Sequence, residues 1–226
     1  MDRVGPSLRR SGSACIVTAS SKAPYQLFLL RLPLTLLVAI VLWLAMRPLL
    51  DGAVAGLAQT LIRAYEYPRV TRLVVDDHRV QVRRADFRSS SKIPTVPLTE
   101  ITFNLIVLLA LYLALPRPFS RPQLQRLFMG VCVLYLTQAL NLVFHVKTLY
   151  AIGLGEWSQQ QYSDLARNVF GYGRYFTDLP GRFAFPFLIW LGFNWDTVMA
   201  MIRRPGSEAD PKAKRPRLKE GRKRRA

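Results

Sequence analysis

The sequence predicts a membrane protein of the all-α class: a bundle of four transmembrane helices with a small outer α+β insert containing a β-hairpin. Three observations predict it. First, Leu27–Met46 is apolar over about 20 residues, long enough at about 1.5 Å per residue to cross a hydrocarbon core of about 30 Å. Second, the chain is 50% hydrophobic yet carries a formal net charge of +18, and the two properties are segregated into apolar runs and basic connections. Third, four spans place both termini on one side, and the positive-inside rule independently asks for that.

The first span is 27–46. A basic stretch precedes it (Arg3, Arg9, Arg10, Lys22), and Ala53-Val54-Ala55 follows like a small-residue cleavage site. The run is longer than the 7–15 residues of a signal-peptide core, and Arg47-Pro48 separates it from the alanines, so it reads as an uncleaved anchor. Residues 1–24 form a polar, basic cytoplasmic tail. Arg31 lies near the inner end of the span, where its side chain can snorkel to the interface.

Residues 47–97 form the outer insert. The Ala- and Leu-rich stretch after Pro48 predicts a short interfacial helix closed by Tyr65, Tyr67 and Pro68. The period then changes from helical to alternating. Residues 71–84 predict a β-hairpin turning over Asp76-Asp77-His78-Arg79. Pairing Val75 with Val80 puts Leu73, Val75, Val80 and Val82 on one face, to be covered by the preceding helix, Phe87 or Ile93. It also sets Arg72 opposite Arg83, which asks for an acid or anion nearby.

The second span is 98–115, ended by Pro116-Arg117-Pro118, and the third is 124–144. Tyr135, Gln138, Asn141 and His145 are spaced 3, 3 and 4, which puts them on one face toward the outer end of the third span. Asn104 of the second span is expected at similar depth. This polar face predicts interhelical hydrogen bonds, with a ligand or partner site as the sharper reading. The connection 145–181 is rich in aromatic residues and reads as an interfacial belt or a substrate-facing groove. The fourth span is 183–202. It carries Asp196, an acid within the membrane that should find a partner, with Arg31 or Arg126 predicted.

Charge sets the orientation. The short connection 116–123 and its flank carry Arg117, Arg121 and Arg126 with no acid, and the tail 203–226 holds eleven basic residues against three acids. Both belong in the cytoplasm with the N-terminus, leaving 47–97 and 145–181 outside. The polybasic tail resembles a nucleic-acid patch read alone. Beside a span it predicts binding to anionic lipid, and no nucleic acid is expected. Both termini are therefore expected on the cytoplasmic face of the membrane.

Chemistry is sparse. The two histidines, His78 and His145, have no second ligand at metal spacing, and Cys132 lies in an apolar helix without a base beside it. Cys15 is predicted on the opposite side from both histidines. Gly171-Tyr172-Gly173 follows no strand and lacks a third glycine, so it is no nucleotide fingerprint. No catalytic residue, cofactor or metal is predicted.

The basic start, the run FLLRLPLTLLVAIVLWLAMRPLL, an outer insert of about 50 residues with a LVV…VQV hairpin, and three further spans from PLTEITFNLIVLLALYLALP resemble the exosortase H-associated membrane proteins. The resemblance covers about residues 27–202. It implies a small bacterial membrane protein found with an exosortase, a transpeptidase-like membrane enzyme that processes proteins bearing a C-terminal sorting segment. Exosortases use Cys, Arg and His in that chain order. Here only His145 follows Cys132, with no Arg between. The expectation is therefore a non-catalytic accessory subunit that binds the exosortase. The alternative is a small membrane-embedded enzyme or transporter using the polar face of the third span.

Overall fold

The computed structural model describes residues 24–85 and 93–202. The two tails, with Cys15 and the polybasic segment, lie outside the described residues, as does Phe87. The described chain is mostly helical with one three-stranded sheet. Helix α1 is Pro24–Ala64, followed by strands β1 (Thr71–Asp76), β2 (Arg79–Arg84) and β3 (Thr95–Pro97). Then come α2 (Leu98–Thr102), α3 (Asn104–Leu113), α4 (Arg121–Ile152), α5 (Glu156–Gln161), α6 (Asp164–Asp178) and α7 (Pro180–Ile202).

Three helices are long and apolar enough to cross a membrane: Tyr25–Ala64, Arg121–Ile152 and Pro180–Ile202. The fourth apolar segment, Leu98–Leu113, is shorter. Pro116 and Pro118 stop it early, and it divides at Phe103, whose backbone nevertheless stays in the right-handed helical region.

The first span and the interfacial helix expected after Pro48 are one helix. At 41 residues α1 is about 60 Å long, twice a hydrocarbon core. It runs through both Pro33 and Pro48. Its second half is held as helix by packing: Val54, Ala58 and Ile62 recur at helical spacing and are fully buried. Tertiary burial thus outweighs the lost backbone bond at Pro48.

The hairpin pairs as its alternation requires: Val75 opposite Val80, Leu73 opposite Val82, Arg72 opposite Arg83. Asp77 and His78 make the two-residue turn with positive φ of 41° and 60°, the conformation that matches strand twist. β3 adds on the far side of β2, with Val96 opposite Val80. Val80, Val82 and Val96 pack onto Val54, Ala58 and Ile62 of α1 and onto Leu142, Val146 and Tyr150 of α4. Two expectations are corrected here. Val75, next to the turn, is exposed, and Thr71 takes the buried position at the other end of β1. Ile93 is exposed and is not among the residues packed on this core. Of the opposed Arg72 and Arg83, the second is held by an amide that an acid anchors in turn. Arg83 Nη2 donates to Gln81 Oε1 at 2.7 Å, and Gln81 Nε2 donates to Asp76 Oδ2 at 2.8 Å.

The free edge of β1 is covered by side chains of α1 and the turn after it. Gln59 Oε1 accepts from the Leu73 amide at 2.8 Å, Arg63 Nε donates to the Thr71 carbonyl at 2.8 Å, and Glu66 accepts from the Thr71 hydroxyl at 2.7 Å. An open edge would template pairing with another chain. β3 is three residues long and ends in proline, which blunts the other edge.

In the bundle α3 is the most enclosed helix. Leu105, Ile106, Leu108 and Tyr112 are buried among Ala39 and Trp43 of α1, Leu134 of α4 and Trp190 of α7. α3 runs antiparallel to α4: Asn104 meets Gln138, and Tyr112 meets the Arg126 carbonyl. α6 and α7 together run antiparallel along α4, with Phe170 beside Thr148, Thr177 beside Asn141, and Thr197 beside Arg126. α7 kinks at Asn194, whose φ of −120° is not helical. The Asn194 amide restores the broken turn by donating to the Trp190 carbonyl at 2.9 Å. Only 11% of the apolar window in α1 and 17% of that in α7 is buried, far more greasy surface than a water-soluble protein exposes.

Candidate functional site

Polar side chains gather at the sheet end of the bundle, on the second half of α1 and the last turns of α4 and α6. The face of α4 carrying Tyr135, Gln138, Asn141 and His145 does reach across to other elements, each residue to its own partner. Tyr135 donates to the Ala53 carbonyl of α1 at 2.8 Å. Gln138 Nε2 donates to Asn104 Oδ1 at 2.6 Å. Asn141 Oδ1 lies 3.0 Å from the Thr177 hydroxyl of α6, and His145 Nε2 lies 2.8 Å from Asp178 Oδ1. The stripe is therefore the seam that fastens α1, α3 and α6 onto α4.

α6 can come this close because of Gly173. A Cβ there would fall 2.4 Å from Phe144 Cε1, inside any permitted contact. Ser163 caps the start of α6 by accepting from the Ala166 amide. Its opposite end delivers Asp178 to His145 and Arg174, with Arg174 Nε 3.5 Å from Asp178 Oδ2. Burial pushes the Asp178 carboxyl up. The hydrogen bond and charge of His145, and then the charge of Arg174, outweigh it and hold the group below the usual carboxylate range.

His78 is paired in the same way. Its Nδ1 lies 2.8 Å from Oδ2 of Asp51, a residue of α1 that is 1% exposed. Arg47 stands one helical turn before Asp51, stacks over Trp43 at 5.1 Å and donates to the Thr99 hydroxyl. The pair ties the hairpin turn to α1, and the His78 carbonyl accepts from the Leu98 amide at 3.0 Å, tying the same turn to α2. Nothing local in the sequence signals either aspartate. Asp51 is 27 residues from His78, and Asp178 is 33 from His145.

The aromatic connection divides in two. Tyr150, Trp157, Tyr162 and Phe170 form a ladder of rings with centroids 6.1–6.3 Å apart that binds α5 and α6 to α4. Arg84 of β2 lies 5.0 Å from both the Tyr150 and Trp157 rings and 3.4 Å from Glu66. Tyr172, Tyr175 and Phe176 remain exposed.

The predicted membrane ion pair is not formed among the described residues. Asp196 is exposed and meets neither Arg31 nor Arg126. The kink at Asn194 precedes it by two residues, and Arg126 donates to Thr197 Oγ1 at 3.3 Å instead. Arg31 is exposed on α1.

Chemically, each Asp–His pair fixes an imidazole and can hold or pass a proton. Neither imidazole has a hydroxyl or thiol as a further hydrogen-bond partner among the described residues. No group of three or more metal-ligating side chains occurs among them.

A family model described as exosortase H-associated membrane protein matches residues 22–197, spanning α1 and all but the last residues of α7. The chain belongs to this family. The matched residues take in both Asp–His pairs, the sheet and the seam on α4. No curated protein and no solved structure matches the chain.

Proposed function

We propose that this exosortase H-associated membrane protein is a non-catalytic accessory subunit that acts by binding, as a partner of an exosortase in protein sorting. The observation that carries the reading, given the family, is how the sheet end is built. Buried Asp51, Thr71, Asn141 and His145 each hydrogen-bond across to another element, holding helices and sheet together. That leaves a rigid subdomain displayed at one end of a membrane bundle, the form expected of a docking module.

Leu98–Leu113 serves as the fourth span in this reading. It is enclosed by α1, α4 and α7 and antiparallel to α4, and only an even number of spans satisfies the basic charge at both ends of the chain. The N-terminus, the 116–123 connection and the C-terminal tail then face the cytoplasm of a bacterial inner membrane. The sheet faces outward, and the polybasic tail lies on anionic lipid.

The test is co-purification in mild detergent from a membrane that holds the exosortase. The expected result is a stoichiometric complex that survives the wash. It is lost when Val82 is replaced by Asp, which places a charge in the core beneath the sheet. Sorting activity in the purified chain alone would contradict the accessory reading.

A further inference from the structure

Three cavities of about 220, 310 and 570 Å³ adjoin one another along α6. The smallest and largest share Thr148 and Arg174, and the largest shares Gly171 and Tyr175 with the third, so they form one trough. It begins at Glu100 and Arg182, in the first turns of the apolar helices Leu98–Leu113 and Pro180–Ile202, and climbs between α4 and α6 toward Asn168. With those helices spanning a membrane, their first turns lie at headgroup depth. It is so whichever side of the membrane the sheet faces.

The walls alternate in charge. Arg182 Nη2 donates to Glu100 Oε2 at 3.1 Å. Arg174 reaches Asp178 only through Nε, at 3.5 Å, and its two terminal nitrogens have no partner among the described residues. That guanidinium fork is half exposed and lines both of the cavities it joins. His145 lies in the same wall. An unfilled, planar fork beside a second arginine suits a phosphate, and the exposed carboxylate of Glu100, bonded only to Arg182, suits a cation on the same ligand.

We propose that the trough holds the headgroup of a phospholipid bearing an amine beside its phosphate, with the phosphate on Arg174 and the amine toward Glu100. The shared chemistry is an aminoalkyl phosphate. A lipid and a free phosphate ester both carry it, and the apolar helix starts beneath the trough favour the lipid.

The experiment is native mass spectrometry of the full, delipidated chain in detergent. It is titrated with phosphatidylethanolamine, phosphatidylglycerol and diacylglycerol of the same acyl chains. Phosphatidylethanolamine is expected to bind about tenfold tighter than diacylglycerol, with phosphatidylglycerol between them. Arg174→Gln should remove the preference over diacylglycerol, and Glu100→Gln the preference over phosphatidylglycerol. Both residues are at the surface, and an unchanged helical circular dichroism spectrum checks that the variants fold. Equal retention of the three lipids, or an Arg174→Gln variant that behaves as the parent, would overturn the proposal. Displacement by free phosphoethanolamine at concentrations comparable to the lipid would overturn the lipid assignment and leave a soluble phosphate ester as the ligand.

Discussion

At the scale of single residues, two devices hold the sheet end together: a missing side chain and a pair of aspartates. Replacing Gly173 with Ala pushes a methyl group into Phe144. The expected cost is about 1–3 kcal/mol, seen as a lower midpoint of thermal unfolding in detergent. Trimming Phe144 to Leu in the same chain should return part of it, since the two groups compete for one space. Asp178 predicts a pH dependence with a definite sign. Its carboxyl is held below its ordinary value in the fold. Its contribution is therefore complete above the unfolded-state value of about 3.9 and is lost as pH falls through the lower, folded one. Unfolding midpoints measured downward from about pH 5 should fall more steeply for the parent than for Asp178→Asn, which has no carboxyl to titrate. Equal slopes would show that Asp178 is not held by His145 and Arg174. The spacing of Tyr135, Gln138, Asn141 and His145 made the seam legible before any fold was known, because residues three and four apart share a helix face. Their partners were not legible. Asp51 and Asp178 reach the histidines only through folding, and Asp196 misled because an acid in an apolar run normally seeks a base.

Elements show the same division. The β-hairpin was readable down to its register, since alternation with a period of two allows only one face inward. The third strand was not, because three residues ending in proline carry no periodic signal. α1 appeared as two helices because Pro48 reads locally as a stop. Packing of Val54, Ala58 and Ile62 beneath the sheet decides otherwise. This makes the long helix and the sheet one mechanical unit. Arg84 links them, lying against Tyr150 and Trp157 with Glu66 beside it. Arg84→Gln should loosen the sheet from α4 and α5 while the bundle persists. Limited proteolysis should then cut within residues 66–97 well before it reaches α4 or α7. Cleavage at the parent's rate would remove Arg84 from this role.

For the whole molecule, the account rests on a bundle that crosses the membrane and carries its sheet on the side away from the 116–123 connection. Apolar runs made the three helices of spanning length legible, and the sidedness is the proposal drawn from charge bias. Length alone leaves the short α2–α3 segment below a full span, and its burial among α1, α4 and α7 supports the proposal that it serves as the fourth. The most direct test is cysteine accessibility in intact cells, in a chain whose native Cys15 and Cys132 have been replaced. Val75→Cys probes the hairpin and Phe119→Cys the short connection, and both positions are exposed. The account predicts that a membrane-impermeant maleimide labels Val75→Cys from outside and reaches Phe119→Cys only after lysis. Labelling of both from the same side, or of Phe119→Cys alone, would contradict it.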